Sequence, residues 1–125
     1  MPAEPGLTAE TRLVVTDLDT AIHFRSGTVP VLATPRLVAL AEEATVAALV
    51  GHLASGETTV GMKVELDHVQ PTPVGGEVRA EATVESVKGR RITFTVAAYD
   101  ERGLVAAGRV TRVLVETDRF LEKCR

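Results

Sequence analysis

Residues 34–68 read TPRLVALAEEATVAALVGHLASGETTVGMKVELDH, and the spacing of apolar residues changes inside this stretch. From Leu37 onward, Leu37, Leu40, Ala41, Ala44 and Ala48 fall on one stripe at helical spacing, while Val38, Val46, Leu49, Val50 and Leu53 cover much of the remaining circumference. A helix apolar nearly all round is expected to be buried. Thr34-Pro35 marks its start, because a threonine hydroxyl can accept from an orphan backbone N–H and proline suits the first helical turn. After Gly56 the period becomes two and stays so. Strands are expected over Thr58–Val69, Glu77–Val87, Arg91–Tyr99 and Leu104–Val115, joined by turns at Pro71-Thr72-Pro73, Gly75-Gly76, Lys88-Gly89-Arg90 and Glu101-Arg102-Gly103.

Ahead of the helix, the alternating run Thr11–Asp17 reads as a first strand, followed by an irregular loop through Ser26-Gly27. The first ten residues, with two prolines and a glycine, read as a loosely ordered lead-in. One strand, one long buried helix and four further antiparallel strands make an α+β domain spanning residues 1–125, a central helix wrapped by a curved sheet of about five strands. That order is the hotdog arrangement. A single sheet around one helix leaves an edge and an apolar face, and a twofold homodimer, or a higher oligomer built from it, is the economical way to cover them.

Composition narrows the function classes. The chain has 125 residues, 45% hydrophobic and 25% charged, with a net charge of −3 and no basic cluster longer than Arg90-Arg91, which excludes an electrostatic nucleic-acid surface. The apolar run from Leu37 to Leu53 is interrupted by Glu42, Glu43 and Thr45, so it falls short of the roughly 20 apolar residues of a membrane helix. The N-terminus MPAEPGLTAE lacks a basic segment followed by an apolar core, and a cytoplasmic location is the expectation. Cys124 has no partner for a disulfide or a metal cluster, and His23, His52 and His68 lie far apart in sequence. No metal and no cofactor are expected, and His23 and His52 read as surface residues.

Three polar interruptions stand out. In the row Val60, Met62, Val64, Leu66, His68, taken as the inward face of its strand, His68 is the one polar member, while Gly61, Lys63, Glu65 and Asp67 form the solvent row. In the last strand, Arg112 breaks the row Leu104, Ala106, Gly108, Val110, Leu114, and a buried guanidinium there needs a carboxylate such as Glu42 or Glu43, or a ligand. Within the helix, Glu42 and Glu43 point about 100° apart, and periodicity alone does not choose between them.

These residues together resemble the fluoroacetyl-CoA thioesterase family of hotdog proteins. The likeness runs through Ala33-Thr34, Glu42 eight residues on, Thr59-Val60-Gly61, His68 followed by Pro71-Thr72-Pro73-Val74-Gly75, Val84 to Arg91, and Thr111-Arg112-Val113, covering residues 30 to 115. It implies a catalytic triad of Thr34, Glu42 and His68, with Gly61 beside the thioester and Arg112 supporting the site, and it selects Glu42 over Glu43. It also implies an acyl-CoA substrate, coenzyme A being part of that substrate rather than a cofactor. A carboxylate can attack the thioester carbonyl or activate water, and a histidine can shuttle the proton. The family associates selectivity with phenylalanines in a lid ahead of the helix, where this chain has Arg25, Ser26, Gly27 and Thr28. A broader short, medium or aryl acyl group is therefore expected. The competing reading is a non-catalytic module binding acyl-CoA or an acyl carrier. A hydratase is disfavoured by the lack of an Asp-x4-His pair.

Overall fold

The computed structural model describes residues 2–125. Five strands, β1 (Thr8–Val14), β2 (Glu57–His68), β3 (Glu77–Lys88), β4 (Arg91–Asp100) and β5 (Gly103–Glu116), form one antiparallel sheet in the order β1-β3-β4-β5-β2. A 3-10 turn (Asp17–Asp19) and a one-turn helix α1 (Ala21–Phe24) lead to the long helix α2 (Thr34–Ala48), and a short helix α3 (Thr117–Glu122) follows β5. The arrangement matches the expected helix on a five-stranded sheet, and among the described residues no helix is long and apolar enough to cross a membrane.

Two expectations about the N-terminal third are corrected. The first strand begins earlier, at Thr8, and residues 8–10, expected to be a loose lead-in, pair with Thr83, Ala82 and Glu81 of β3. The short segments Thr8–Val14 and Asp17–Phe24 replace the single run over Thr11–Asp17 and the irregular loop. Thr16 stops β1 by turning its hydroxyl and backbone N–H to Asp19, a reciprocal cap that a strand residue would not make.

Helix α2 packs chiefly on β1 and β3. Its stripe Leu37, Leu40, Ala41, Ala44 and Ala48 is buried against the alternate residues Val78, Ala80, Ala82 and Val84 of β3 and Ile92, Phe94 and Val96 of β4. Alanine on both surfaces lets helix and sheet approach, and each large side chain buried there contributes about 1.5–3 kcal/mol. The remaining circumference is not all buried. Val46 on the helix stands 48% exposed and Val50, in the turn that follows it, 75%, so apolar side chains remain where the sheet does not reach.

Candidate active site

A β-bulge sets the geometry of the site. Gly61 pairs with Arg112, but Lys63 pairs with Thr111, leaving Met62 as an extra residue in β2. Before the bulge the helix-facing residues are Thr59 and Gly61; beyond it they are Val64, Leu66 and His68, opposite Val110, Gly108 and Ala106. The expected inward row is therefore right for Val64, Leu66 and His68 and wrong for Val60 and Met62, and Gly61 belongs to the inner face rather than the solvent row. In an unbroken strand Gly61 and His68 would point to opposite sides. The bulge turns both toward the helix.

Opposite Gly61 lies Glu42. A Cβ built at position 61 would stand 2.5 Å from Glu42 Oε2 and 3.7 Å from Arg112 Nη1, so the glycine is the floor on which the carboxylate rests. Arg112, only 7% exposed, is held by Thr59: Nε–H donates to Thr59 Oγ1 at 2.8 Å and Nη2 to the Thr59 carbonyl at 3.0 Å. Its Nη1 approaches Glu42 Oε2 at 3.6 Å. Burial draws the guanidinium down from its ordinary value, and the Glu42 charge pushes it back up. Glu43 points elsewhere, pairing with Arg36 at 3.1 Å on the exposed side, so the two neighbouring glutamates have separate partners. Arg36 also meets Asp19, whose carboxyl is held below its usual value: burial would raise it, but bonds from the Thr16 backbone, the Thr16 hydroxyl and Arg36 outweigh that.

Thr34 does not cap its helix. The N-cap is Ala33, no side chain caps the turn, and the Thr34 hydroxyl instead lies 2.8 Å from His68 Nδ1. A neutral ring accepts the hydroxyl proton there in one tautomer and donates to the oxygen in the other. Burial lowers the His68 pKa, and a contact with the Gln70 backbone opposes that shift. The other ring nitrogen, Nε2, is buried and has no hydrogen-bond partner among the described residues.

The predicted residues thus form two clusters. Thr34 joins His68, while Glu42 joins Gly61 and Arg112. Eight helical residues separate Thr34 from Glu42, about 12 Å, and the seven strand residues from Gly61 to His68 span roughly 20 Å. Glu42 and His68 do not meet within one chain. Beside Glu42 runs an open groove of about 520 Å³ lined by Thr11, Ala39, Glu42, Glu43, Val46, Ala47 and Arg112. Sequence reading missed Thr59, whose one signal was a threonine two residues before the site glycine, and the Asp19–Arg36 pair, which joins loop to helix with no local signature. His52, read as a surface residue, is half-buried with an unpartnered Nδ1, in a separate cavity with Leu53, Glu57 and Leu114. Among the described residues, no three His, Cys, Asp or Glu side chains gather as metal ligands would.

Comparison with known proteins gives consistent matches. The family model described as fluoroacetyl-CoA-specific thioesterase matches residues 15–118. The fluoroacetyl-CoA thioesterase of Streptantibioticus cattleyicolor is 34% identical over 95 residues, 76% of this chain and 68% of that protein. Among solved structures, the fluoroacetyl-CoA thioesterase FlK superposes with a TM-score of 0.93 at 28% identity, covering 100% of this chain and 97% of the other. A thioesterase superfamily member from Thermus thermophilus superposes at 0.91 with 30% identity, over 99% and 92% of the two chains.

Proposed function

The chain belongs to the fluoroacetyl-CoA-specific thioesterase family, and from that premise we propose that this thioester hydrolase cleaves short, medium or aryl acyl-CoA with Glu42, His68 and Thr34. The observation that carries the reading is the seat of Glu42: a carboxylate on a residue without a side chain, at the mouth of a groove, beside one buried cation. The carboxylate attacks the thioester carbonyl or activates the water that does. In the water route the proton taken from that water, relayed by the neutral His68 imidazole with Thr34 orienting it, reaches the thiolate as the C–S bond breaks; in the attack route the thiolate leaves first, water then opens the acyl–Glu42 anhydride, and its proton passes by the same relay to the thiolate. The products are a carboxylic acid and coenzyme A.

The separation of the two clusters supports a site shared between two copies. Strand β2 is a sheet edge twelve residues long, with Met62 and Val64 exposed along it and Val46 exposed on helix α2. An antiparallel pairing of two β2 edges centred on Glu65, with the bulged residue unpaired, sets Gly61 opposite His68 of the partner subunit and Lys63 opposite Asp67 of the partner subunit. Glu42 of one copy then faces the Thr34–His68 pair of the other, and a homodimer is the working unit.

Where the family carries lid phenylalanines, this chain has Arg25, which caps α1 in a left-handed conformation, and Ser26-Gly27-Thr28. That replacement supports a substrate range broader than a fluorinated two-carbon acyl group. A panel of acetyl, fluoroacetyl, butyryl, octanoyl and benzoyl thioesters of coenzyme A tests the proposal, with thiol release as the readout. Glu42→Ala and His68→Ala should each lose release from every member while remaining dimeric. Binding of acyl-CoA by calorimetry without thiol release from the wild type would instead establish a binding module.

A further inference from the structure

Arg112 and Glu42 stand close without closing on one another, and the reason lies on the next strand. A buried arginine beside a carboxylate ordinarily forms a two-bonded fork at about 2.7–2.9 Å. Here only Nη1 faces Glu42, at 3.6 Å, beyond hydrogen-bond range. The fork is spent on Thr59: its hydroxyl takes Nε–H and its carbonyl takes Nη2. Two bonds to one residue fix both the plane and the direction of the guanidinium, and Thr59, 9% exposed, is itself held in the β2–β5 ladder opposite Leu114.

We propose that Thr59 is a positioning residue that withholds Arg112 from Glu42, keeping a positive charge beside the carboxylate while leaving its oxygens free for the substrate. The inference rests on the reading of Glu42 as the reacting carboxylate. Held off, the cation leaves both oxygens open to the substrate; closed into a fork, it would occupy them and quench them as nucleophile or base. The hydroxyl carries the distinction, since the Thr59 carbonyl remains in any variant.

Thr59→Val and Thr59→Ser test it. Valine keeps the volume and removes the acceptor, so Arg112 is expected to turn onto Glu42 and kcat to fall at least tenfold with little change in KM. Serine should restore both. A crystal structure of Thr59→Val reads the geometry without activity: a two-bonded Arg112–Glu42 pair supports the proposal, and an unmoved guanidinium overturns it. Equal loss of kcat in the valine and serine variants also overturns it, since only packing would then be at stake. If Arg112 closes on Glu42 and the rate is unchanged, the assignment of Glu42 has failed rather than the placement by Thr59.

Discussion

At the scale of single residues, the site depends on a missing side chain and on a ring kept neutral. In Gly61→Ala the new Cβ would meet the end of the Glu42 side chain at 2.5 Å, and Gly61 is not among the residues with positive φ, so the backbone accepts alanine without strain. The carboxylate must move instead. Expected is a melting temperature close to wild type with kcat/KM reduced about a hundredfold, the scale that a displacement of about 1 Å produces; unchanged thiol release would show that Glu42 needs no fixed seat. His68 makes a second prediction through its lowered pKa, whose main cause is burial. The acid limb due to this imidazole should lie below the ordinary value of about 6.5, since only the neutral ring can take a proton. The same shift has a sign for stability. The unfolded chain protonates its histidine first as pH falls, so this contribution is present above about 6.5 and is lost as pH drops toward the folded pKa. A rate profile whose only limb lies above that value would remove His68 from the reaction.

At the scale of elements, the join between the segment before α2 and the helix itself is a small polar anchor. Asp19 accepts from the Thr16 backbone, the Thr16 hydroxyl and Arg36 Nε, and its own carbonyl accepts from Ala33 N–H, one residue before Thr34. Asp19→Ala takes the acceptor from all three of the donors to its carboxylate in a part-buried place and should cost about 1 kcal/mol in a denaturant titration. Because the carboxyl titrates below its unfolded value of about 3.9, its contribution is present above that pH and disappears as the pH falls through the folded pKa; a loss that does not depend on pH would mean packing, not charge. The Arg36 arm of this anchor was invisible in the sequence because it lies 17 residues away on another element, and the Thr16–Asp19 arm, a T-x-x-D capping pattern, was overrun by reading a strand through Thr11–Asp17. What was legible followed from periodicity: the α2 stripe and the four later strands come out within a residue or two. The inner row of β2 was only half legible, because alternation assumes an unbroken ladder and the extra residue at Met62 reverses the parity. Thr34 was misread for a related reason. Its type and position suit an N-cap, but the hydroxyl was claimed by a histidine 34 positions away. Glu42 could be separated from Glu43 only by resemblance, whereas the fold separates them by partner, Arg112 for one and Arg36 for the other.

At the scale of the whole molecule, the proposed homodimer makes each chain half of two sites. A second copy on the exposed β2 edge is the arrangement that brings the two separated clusters together. A dimer joined there has two identical sites, each taking Glu42 from one chain and Thr34 with His68 from the other. The arrangement makes a prediction that a site complete within one chain cannot share. Glu42→Ala and His68→Ala are each inactive alone, because every site lacks one member. Mixed dimers carry both lesions in one site and neither in the other, so random pairing of equal amounts should recover about a quarter of the wild-type rate. Co-expression with two affinity tags isolates the mixed species, where the recovery should rise to about half. If every tagged mixture stays inactive, the two clusters do not act across the β2 edge. If Lys63→Glu, which reverses the charge facing Asp67 of the partner subunit, weakens both the dimer and the rate in proportion, the edge itself is the seat of the shared site.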